Sequence, residues 1–354
     1  MKAAVWYGHR DVRVEETSRP SASPGHVVVE VRYAGICGTD RHEYVGPVFI
    51  PTARPHRLTG KTAPLIIGHE FCGVISEVGD GVTGWHTGDR VTANGTLSCG
   101  KCEACLSGRY NVCEKLGFLG VNLNGAFAEY VEVEAARLFR IPDSVPMRDA
   151  VLTEPLACGI HATKLMGGVG GQDVVIVGPG IIGIGALLAA RHDEARGILV
   201  IGVGDLRREL VESLGGSYFD LGVGDPSQAV REWSHGRMAD AAYECVGSQA
   251  ALDSCVSMLK PGGKLMVMGV FEHPPTLRMN DFQEGERRLF TSQAHTSEIQ
   301  EALDRIEAGE IDVGPLITRE VTLDTLVKDG LEELMRNGER HIKVIIDIQE
   351  KGAD

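Results

Sequence analysis

Four cysteines, Cys99, Cys102, Cys105 and Cys113, fall in one short stretch with the spacing Cys-x2-Cys-x2-Cys-x7-Cys. Thiolates are soft ligands, and four of them in a single loop match the tetrahedral preference of zinc in a closed, structural site. An iron–sulfur cluster is the competing reading of four thiolates. The residues between are mostly glycine, serine and polar, so this lobe is expected to need its metal to pack. Its role is shape and subunit contact rather than chemistry.

A second set is dispersed. Cys37 lies in Gly35-Ile36-Cys37-Gly38-Thr39-Asp40, His69 and Glu70 in Gly68-His69-Glu70, and Glu154 directly before Pro155. One thiolate, one imidazole and one carboxylate leave a position open for water or substrate, which is the composition of a catalytic zinc site. Either Glu70 or Glu154 completes the set. Glu70 directly follows His69, so the two side chains are expected to point apart, with Glu70 supporting a ligand from behind. Glu154 ends the first domain, where it would face a cleft. Cys72, Cys158, Cys245 and Cys255 sit in apolar or helical contexts and read as core residues.

A third pattern is Gly178-Pro179-Gly180-Ile181-Ile182-Gly183, directly after the apolar run 174–177 and before a helical stretch. Between strand and helix, Gly178 permits the tight turn, Gly180 lets a pyrophosphate approach the backbone, and Gly183 lets helix and strand pack closely. The amides at the start of the helix, at Ile181 and Ile182, supply the positive end that an anion requires. An acidic residue about 20 positions on would bind the adenosine ribose, but Gly202 stands there. Gly202 leaves room for a 2′-phosphate, and Arg207 and Arg208 follow within reach. This favours NADP, while Asp205 keeps NAD as the alternative. Val246, Gly269 and Val270 complete the cofactor-contacting candidates.

The elements that must hold these groups change character along the chain. Residues 1–155 read as short strands and loops, with runs at 27–31, 71–78 and 129–133. From Gly171, apolar strands alternate with amphipathic helices, the pattern of a parallel α/β sheet. Strands are expected at 173–177, 198–201 and 264–268, the last entered through a Pro261-Gly262-Gly263 turn, with helices at 181–190 and through Leu210 and Leu214. Ser297 caps a helix bearing Ile299, Leu303 and Ile306, and 341–348 closes the chain as a strand.

The chain has 354 residues, too many for one ordinary core. Its formal net charge of −14 repels nucleic acid and anionic membranes, so neither is an expected partner. No apolar run reaches the roughly 20 residues of a membrane helix. Nine cysteines without an export signal point to thiolate chemistry in a reducing, cytoplasmic setting.

Taken together, the segments 35–40, 68–70, 99–113, 154–156 and 178–183 resemble the zinc-dependent medium-chain alcohol dehydrogenases over essentially the full chain. Within that family the stretch 37–44 and the insert 46–63 look closest to butanediol, sorbitol and threonine dehydrogenases. The resemblance implies an α/β fold, a Rossmann doubly wound parallel sheet plus a GroES-like, mostly-β catalytic domain. The expected boundaries are 1–155 for the catalytic domain, with its cysteine lobe at about 95–115, 156–295 for the Rossmann domain, and 296–354 for a return to the catalytic domain. It implies one catalytic and one structural zinc, a homo-oligomer, and reversible oxidation of a secondary alcohol to a ketone.

In that reaction zinc lowers the alcohol pKa, Thr39 takes the hydroxyl proton and His42 passes it to solvent. Two departures from the family pattern stand out. Gly202 replaces the usual acidic residue, and a polar run (284–288, Thr291, Ser292, Gln293 and His295) lies where the nicotinamide end is expected. A 2,3-butanediol-like diol is the first substrate reading, and a cyclic polyol, sugar or hydroxy amino acid the second. A cofactor-binding protein without chemistry is the alternative of another class; it should lack several of Cys37, Thr39, His42, His69, Glu70 and Glu154, and none is missing.

Overall fold

The computed structural model describes residues 1–350. Two compact units emerge. One comprises Met1–Glu154 together with the chain from Ile299 onward, and the other Pro155–Glu298.

The first unit is built on a seven-stranded sheet whose centre is the strand His26–Gly35. Its sequence, HVVVEVRYAG, is rich in β-branched residues that suit a pleated, packed surface. It pairs antiparallel with Glu70–Val78 on one side. On the other it pairs with Tyr130–Glu134 along its first half and with Lys343–Asp347 along its second. The core beneath includes Trp6, Val29, Ile36, Phe71, Phe127 and Ile346, each under 5% exposed. Burying a side chain such as Phe71 stabilises the unit by about 2–3 kcal/mol.

The register of this sheet sets which side chains can meet at its end. Gly35 faces Glu70 across one ladder and Ile345 across the other. Cys37 leaves its strand two residues past Gly35, His69 enters its strand one residue before Glu70, and Lys343 lies two residues before Ile345. Pairing alone therefore brings three distant segments to one end of the sheet.

The second unit is a wholly parallel, six-stranded sheet in the order Ser217–Asp220, Gly197–Gly202, Asp173–Val177, Ala239–Glu244, Leu259–Val267, Arg288–Thr291. The order reverses direction between Asp173–Val177 and Ala239–Glu244, which is a topological switch point. Asp173–Val177 is buried at every residue, the pattern of a strand covered on both faces. The helix Ile181–His192 is buried continuously from Gly183 to Ala190. The expected turn at 261–263 is not a separate element. The strand runs from Leu259 to Val267, and Pro261-Gly262-Gly263 bulges between Leu259, paired with Ala239, and Lys264, paired with Ala241. Among the described residues no helix is long and apolar enough to cross a membrane.

Candidate active site

Cys37 precedes the helix Gly38–Val45. Its amide donates to Asp40 Oδ2 at 2.8 Å, so the first turn is closed by a carboxylate that is itself buried. His69 follows Gly68, whose φ of 96° turns the chain into the strand Glu70–Val78. The ligand atoms of Cys37, His69 and Glu70 all lie within 4.8 Å of one another. His69 and Glu70 converge instead of pointing apart because His69 stands outside the strand, where the alternation of sides does not apply. Glu154 is the second residue of the helix Thr153–Leu165, half-buried, and is not one of these three.

The electrostatics of the cluster are those of a cation site. Glu70 is fully buried and its Oε1 finds no hydrogen-bond partner; His69 Nδ1 is likewise without one. A buried polar atom left without a partner, as Glu70 Oε1 is, is costly, and a thiol, an imidazole and a carboxylate are donors that zinc accepts. The residues present therefore fit the metal. Lys343, 1% exposed, forms an ion pair with Glu70 and donates to the Ile36 carbonyl at 2.9 Å. Burial pushes the Glu70 carboxyl up while the Lys343 ammonium pulls it back. Burial pulls His69 down, but the neighbouring Cys37, Asp40 and Glu154 charges more than offset this and hold it well above the usual imidazole range. Asp40 Oδ1 stands 3.9 Å from His69 Nδ1. A Cβ at Gly35 would run into the Glu70 carboxylate and, at 2.8 Å, into Lys343 Cε, so only glycine admits this pair.

Thr39 Oγ1 lies 3.7 Å from Cys37 Sγ. His42 follows three residues on, along the same face of the helix. The insert after this helix is held by Glu43. Its buried carboxylate accepts from the amides of Val48, Phe49 and Ile50, at 2.7 Å for Phe49.

The four cysteines of the lobe meet as their spacing implies. Sγ separations are 3.4 Å for Cys102–Cys105, 3.8 Å for Cys102–Cys113 and 4.0 Å for Cys99–Cys105. A tetrahedron of sulfurs about 2.3 Å from a central ion has edges of about 3.8 Å. The amides of Lys101 and Cys102 lower the Cys99 thiol to about 6, favouring the thiolate. Arg137 anchors the lobe, donating to Ser98 Oγ at 2.6 Å with its guanidinium 3.8 Å over the Tyr110 ring.

In the second unit, Gly178 adopts φ 102° between the strand Asp173–Val177 and the helix Ile181–His192. Gly180 is the N-cap, and no side chain caps the helix or places a negative charge in its first turn. The amides at Ile181 and Ile182 are thus left for an anionic ligand, which fits a dinucleotide pyrophosphate. Gly183 packs so closely on Gly178 that a Cβ would meet its carbonyl oxygen.

Gly202 ends its strand as expected, but for another reason than spare room. A Cβ there would collide with the Pro179 ring and approach the Tyr218 hydroxyl to 3.1 Å. The direction an acidic side chain would take is filled by the glycine-rich loop's own proline. Arg207 and Arg208 lie on the helix Asp205–Ser213. Arg208 stands 3.6 Å from the Asp220 carboxylate and 5.5 Å over the Tyr218 ring. Val246 follows Ala239–Glu244 and Gly269 and Val270 follow Leu259–Val267, so all three lie beyond the carboxyl ends of the two strands past the switch point.

Sequence reading missed Lys343, Asp40, Glu43 and Glu244. Lys343 did carry a signal, a lysine opening the terminal strand directly ahead of Val344, Ile345 and Ile346. Cys72 and Cys255 are core residues as expected, whereas Cys158 and Cys245 are only partly buried.

Known proteins match this arrangement. Residues 23–143 match the alcohol dehydrogenase GroES-like domain, and residues 182–308 the zinc-binding dehydrogenase domain. The chain is 32% identical to (R,R)-butanediol dehydrogenase of Neisseria gonorrhoeae, over 98% of this chain and 99% of that one. It is 34% identical to sorbitol dehydrogenase of Halalkalibacterium halodurans, again over 98% and 99%. The crystal structure of 2R,3R-butanediol dehydrogenase from Bacillus subtilis superimposes with a TM-score of 0.91 at 30% identity, covering 98% of this chain and 99% of that one. The chain belongs to the zinc-dependent medium-chain alcohol dehydrogenase family, whose members are NAD(P)-dependent alcohol and polyol dehydrogenases.

Proposed function

We propose that this protein oxidises a secondary alcohol of a small diol or polyol, of the 2,3-butanediol and acetoin type, to the ketone, reversibly and with NADP as the preferred cofactor. The observation that carries the reading is the convergence of Cys37, His69 and Glu70 within 4.8 Å, two of them buried, beside the Thr39 hydroxyl. The butanediol and sorbitol names of the similar proteins support a substrate with a second hydroxyl group.

Cys37, His69 and Glu70 hold the catalytic zinc, and Cys99, Cys102, Cys105 and Cys113 a structural one. When bound, zinc supplies Lewis acidity toward the alcohol hydroxyl, and the oxidised nicotinamide accepts hydride. Glu154 acts through its charge on His69, Glu70 and Lys343. Thr39 accepts the hydroxyl proton while releasing its own toward His42, and His42 gives it to water. Lys343 keeps the Glu70 carboxylate at the cluster, and Asp40 holds the turn that presents Cys37.

On the cofactor side, Gly178, Gly180, Ile181, Ile182 and Gly183 receive the pyrophosphate. Gly202 ends the adenosine side, with Arg207 and Arg208 beside the ribose phosphate, and Val246, Gly269 and Val270 border the nicotinamide half. No carboxylate fits at Gly202, which supports NADP; Asp205 supports NAD. The chain works in the cytoplasm as a homo-oligomer, a reading supported by the four thiols gathered in the cysteine lobe and by Leu106, 76% exposed on that lobe.

A panel of 2,3-butanediol, sorbitol, a cyclic polyol and a hydroxy amino acid, each with NAD and NADP, tests the proposal through the absorbance of the reduced nicotinamide. Turnover of the diol, fastest with NADP, is expected. Turnover confined to the cyclic polyol or the amino acid would favour the second substrate reading, supported by the polar run Thr291, Ser292, Gln293 and His295.

A further inference from the structure

Glu244 is the last residue of the strand Ala239–Glu244, immediately past the switch point, and its side chain is fully buried. Beyond it the chain leaves the sheet, and its amides lose their ladder partners. Glu244 replaces those partners itself. Its Oε1 accepts from the Val246 amide at 2.9 Å and from the Gly247 amide at 2.7 Å. Its backbone carbonyl accepts from the amides of Met268 and Gly269, at 2.9 and 3.1 Å, where the neighbouring strand also leaves the sheet. One residue thus ties two loops together.

The loops interlock with little tolerance. A Cβ at Gly269 would collide with the Gly247 nitrogen and with Glu244 Oε2, and one at Gly247 with the backbone of Val270. A Cβ at Gly178 would meet Val246 Cγ2 at 2.6 Å, so the glycine-rich loop abuts the same assembly. Val246 itself stays 50% exposed, an apolar side chain held outward by a buried carboxylate.

In an open parallel sheet, ligands bind outside the carboxyl ends of the strands at the switch point. The glycine-rich loop and the end of Gly197–Gly202 lie on one side of that point. The loops after Glu244 and Val267 lie on the other. A dinucleotide centred on the glycine-rich loop therefore places its second, nicotinamide-bearing half against the loops that Glu244 ties together.

We propose that Glu244 is a positioning residue for the nicotinamide half of the cofactor, its buried carboxylate preforming the surface made by residues 245–247 and 268–270. The proposal rests on the reading of the second unit as a dinucleotide site. It assigns Glu244 no contact with substrate or reacting atoms.

Binding of two ligands separates this role from general support of the fold. 5′-AMP, or adenosine 2′,5′-bisphosphate with the 2′-phosphate, carries the adenosine half alone and is measured by calorimetry. The reduced dinucleotide reports on both halves and is measured by its fluorescence. Glu244→Ala is expected to weaken the dinucleotide about 10-fold or more while leaving the adenosine nucleotide within about 2-fold. Glu244→Gln keeps an acceptor oxygen for both amides and is expected to retain most of the affinity. Gly269→Ala, which displaces the loops from the other side, should reproduce the selective loss if Glu244→Ala does not fold.

Equal loss of both ligands, or no loss of the dinucleotide, in Glu244→Ala or in Gly269→Ala would overturn the proposal. If the unaltered protein bound neither ligand, the dinucleotide reading itself would fall, and this inference with it.

Discussion

Lys343 forms an ion pair with Glu70 at the heart of the first unit, although the two lie on different strands far apart in sequence. Both are essentially inaccessible to water. A buried pair gains little over an apolar pair, but loss of one partner strands the other charge. Lys343→Ala should therefore destabilise the protein by about 3–5 kcal/mol. Lys343→Arg should cost less because it keeps the charge. Urea denaturation of the three proteins checks this, and equal stability of Lys343→Ala and the parent would show that Glu70 is not ionised beside it.

The packing at Gly202 makes an unusual prediction about cofactor engineering. Installing an aspartate there, to favour NAD, should fail because the Pro179 ring occupies the path of the new side chain. Overpacking of this kind costs about 1–3 kcal/mol. Gly202→Asp should lose thermal stability and bind both cofactors more weakly, as melting curves and cofactor titrations will show. A clean switch to tight NAD binding would mean that the loop yields easily.

Arg208 carries the other half of the cofactor reading. Arg208→Ala should raise the KM for NADP about 10-fold, a loss of about 1.4 kcal/mol, and leave that for NAD nearly unchanged. Initial rates across a range of each cofactor decide it. Parallel changes for both would remove Arg208 from the phosphate site and leave it as the partner of Asp220.

The acid limb of stability should depend on Glu298. Burial pushes this carboxyl up, but hydrogen bonds from His161 and the Thr296 amide outweigh it and bring it down to about 2. A carboxyl whose folded pKa lies below its unfolded value stabilises above the unfolded value. That contribution fades as pH falls from about 4.5 toward 2. Glu298→Gln should remove about 2 kcal/mol at neutral pH and flatten the loss of stability across that acid window. Urea midpoints measured from pH 2 to 7 test this, and an unchanged acid slope would contradict it.

What sequence could disclose depended on whether the geometry was local. Cys99 to Cys113 close within one loop, so spacing alone implied a shared ligand, and the sulfurs do meet. Gly178 to Gly183 is also local, a strand, a turn and the first turn of a helix. The centre at Cys37, His69 and Glu70 was legible as residue types but not as geometry, because it depends on the pairing of Gly35 with Glu70 and Ile345.

That register also explains why Lys343 was overlooked: nothing near it in the chain announces a carboxylate opposite. Gly202 misled differently. A missing side chain reads as space, whereas the neighbouring proline had already filled it. Glu244 was silent because its partners are backbone amides, which every residue except proline possesses.

The direct test of the catalytic centre is zinc content measured together with turnover in Cys37→Ala. The expected result is loss of about one zinc per chain, turnover reduced to background, and a melting temperature close to that of the parent because the cysteine lobe keeps its metal. Full turnover in Cys37→Ala, or unchanged zinc content, would contradict the assignment of Cys37, His69 and Glu70 as the site of chemistry.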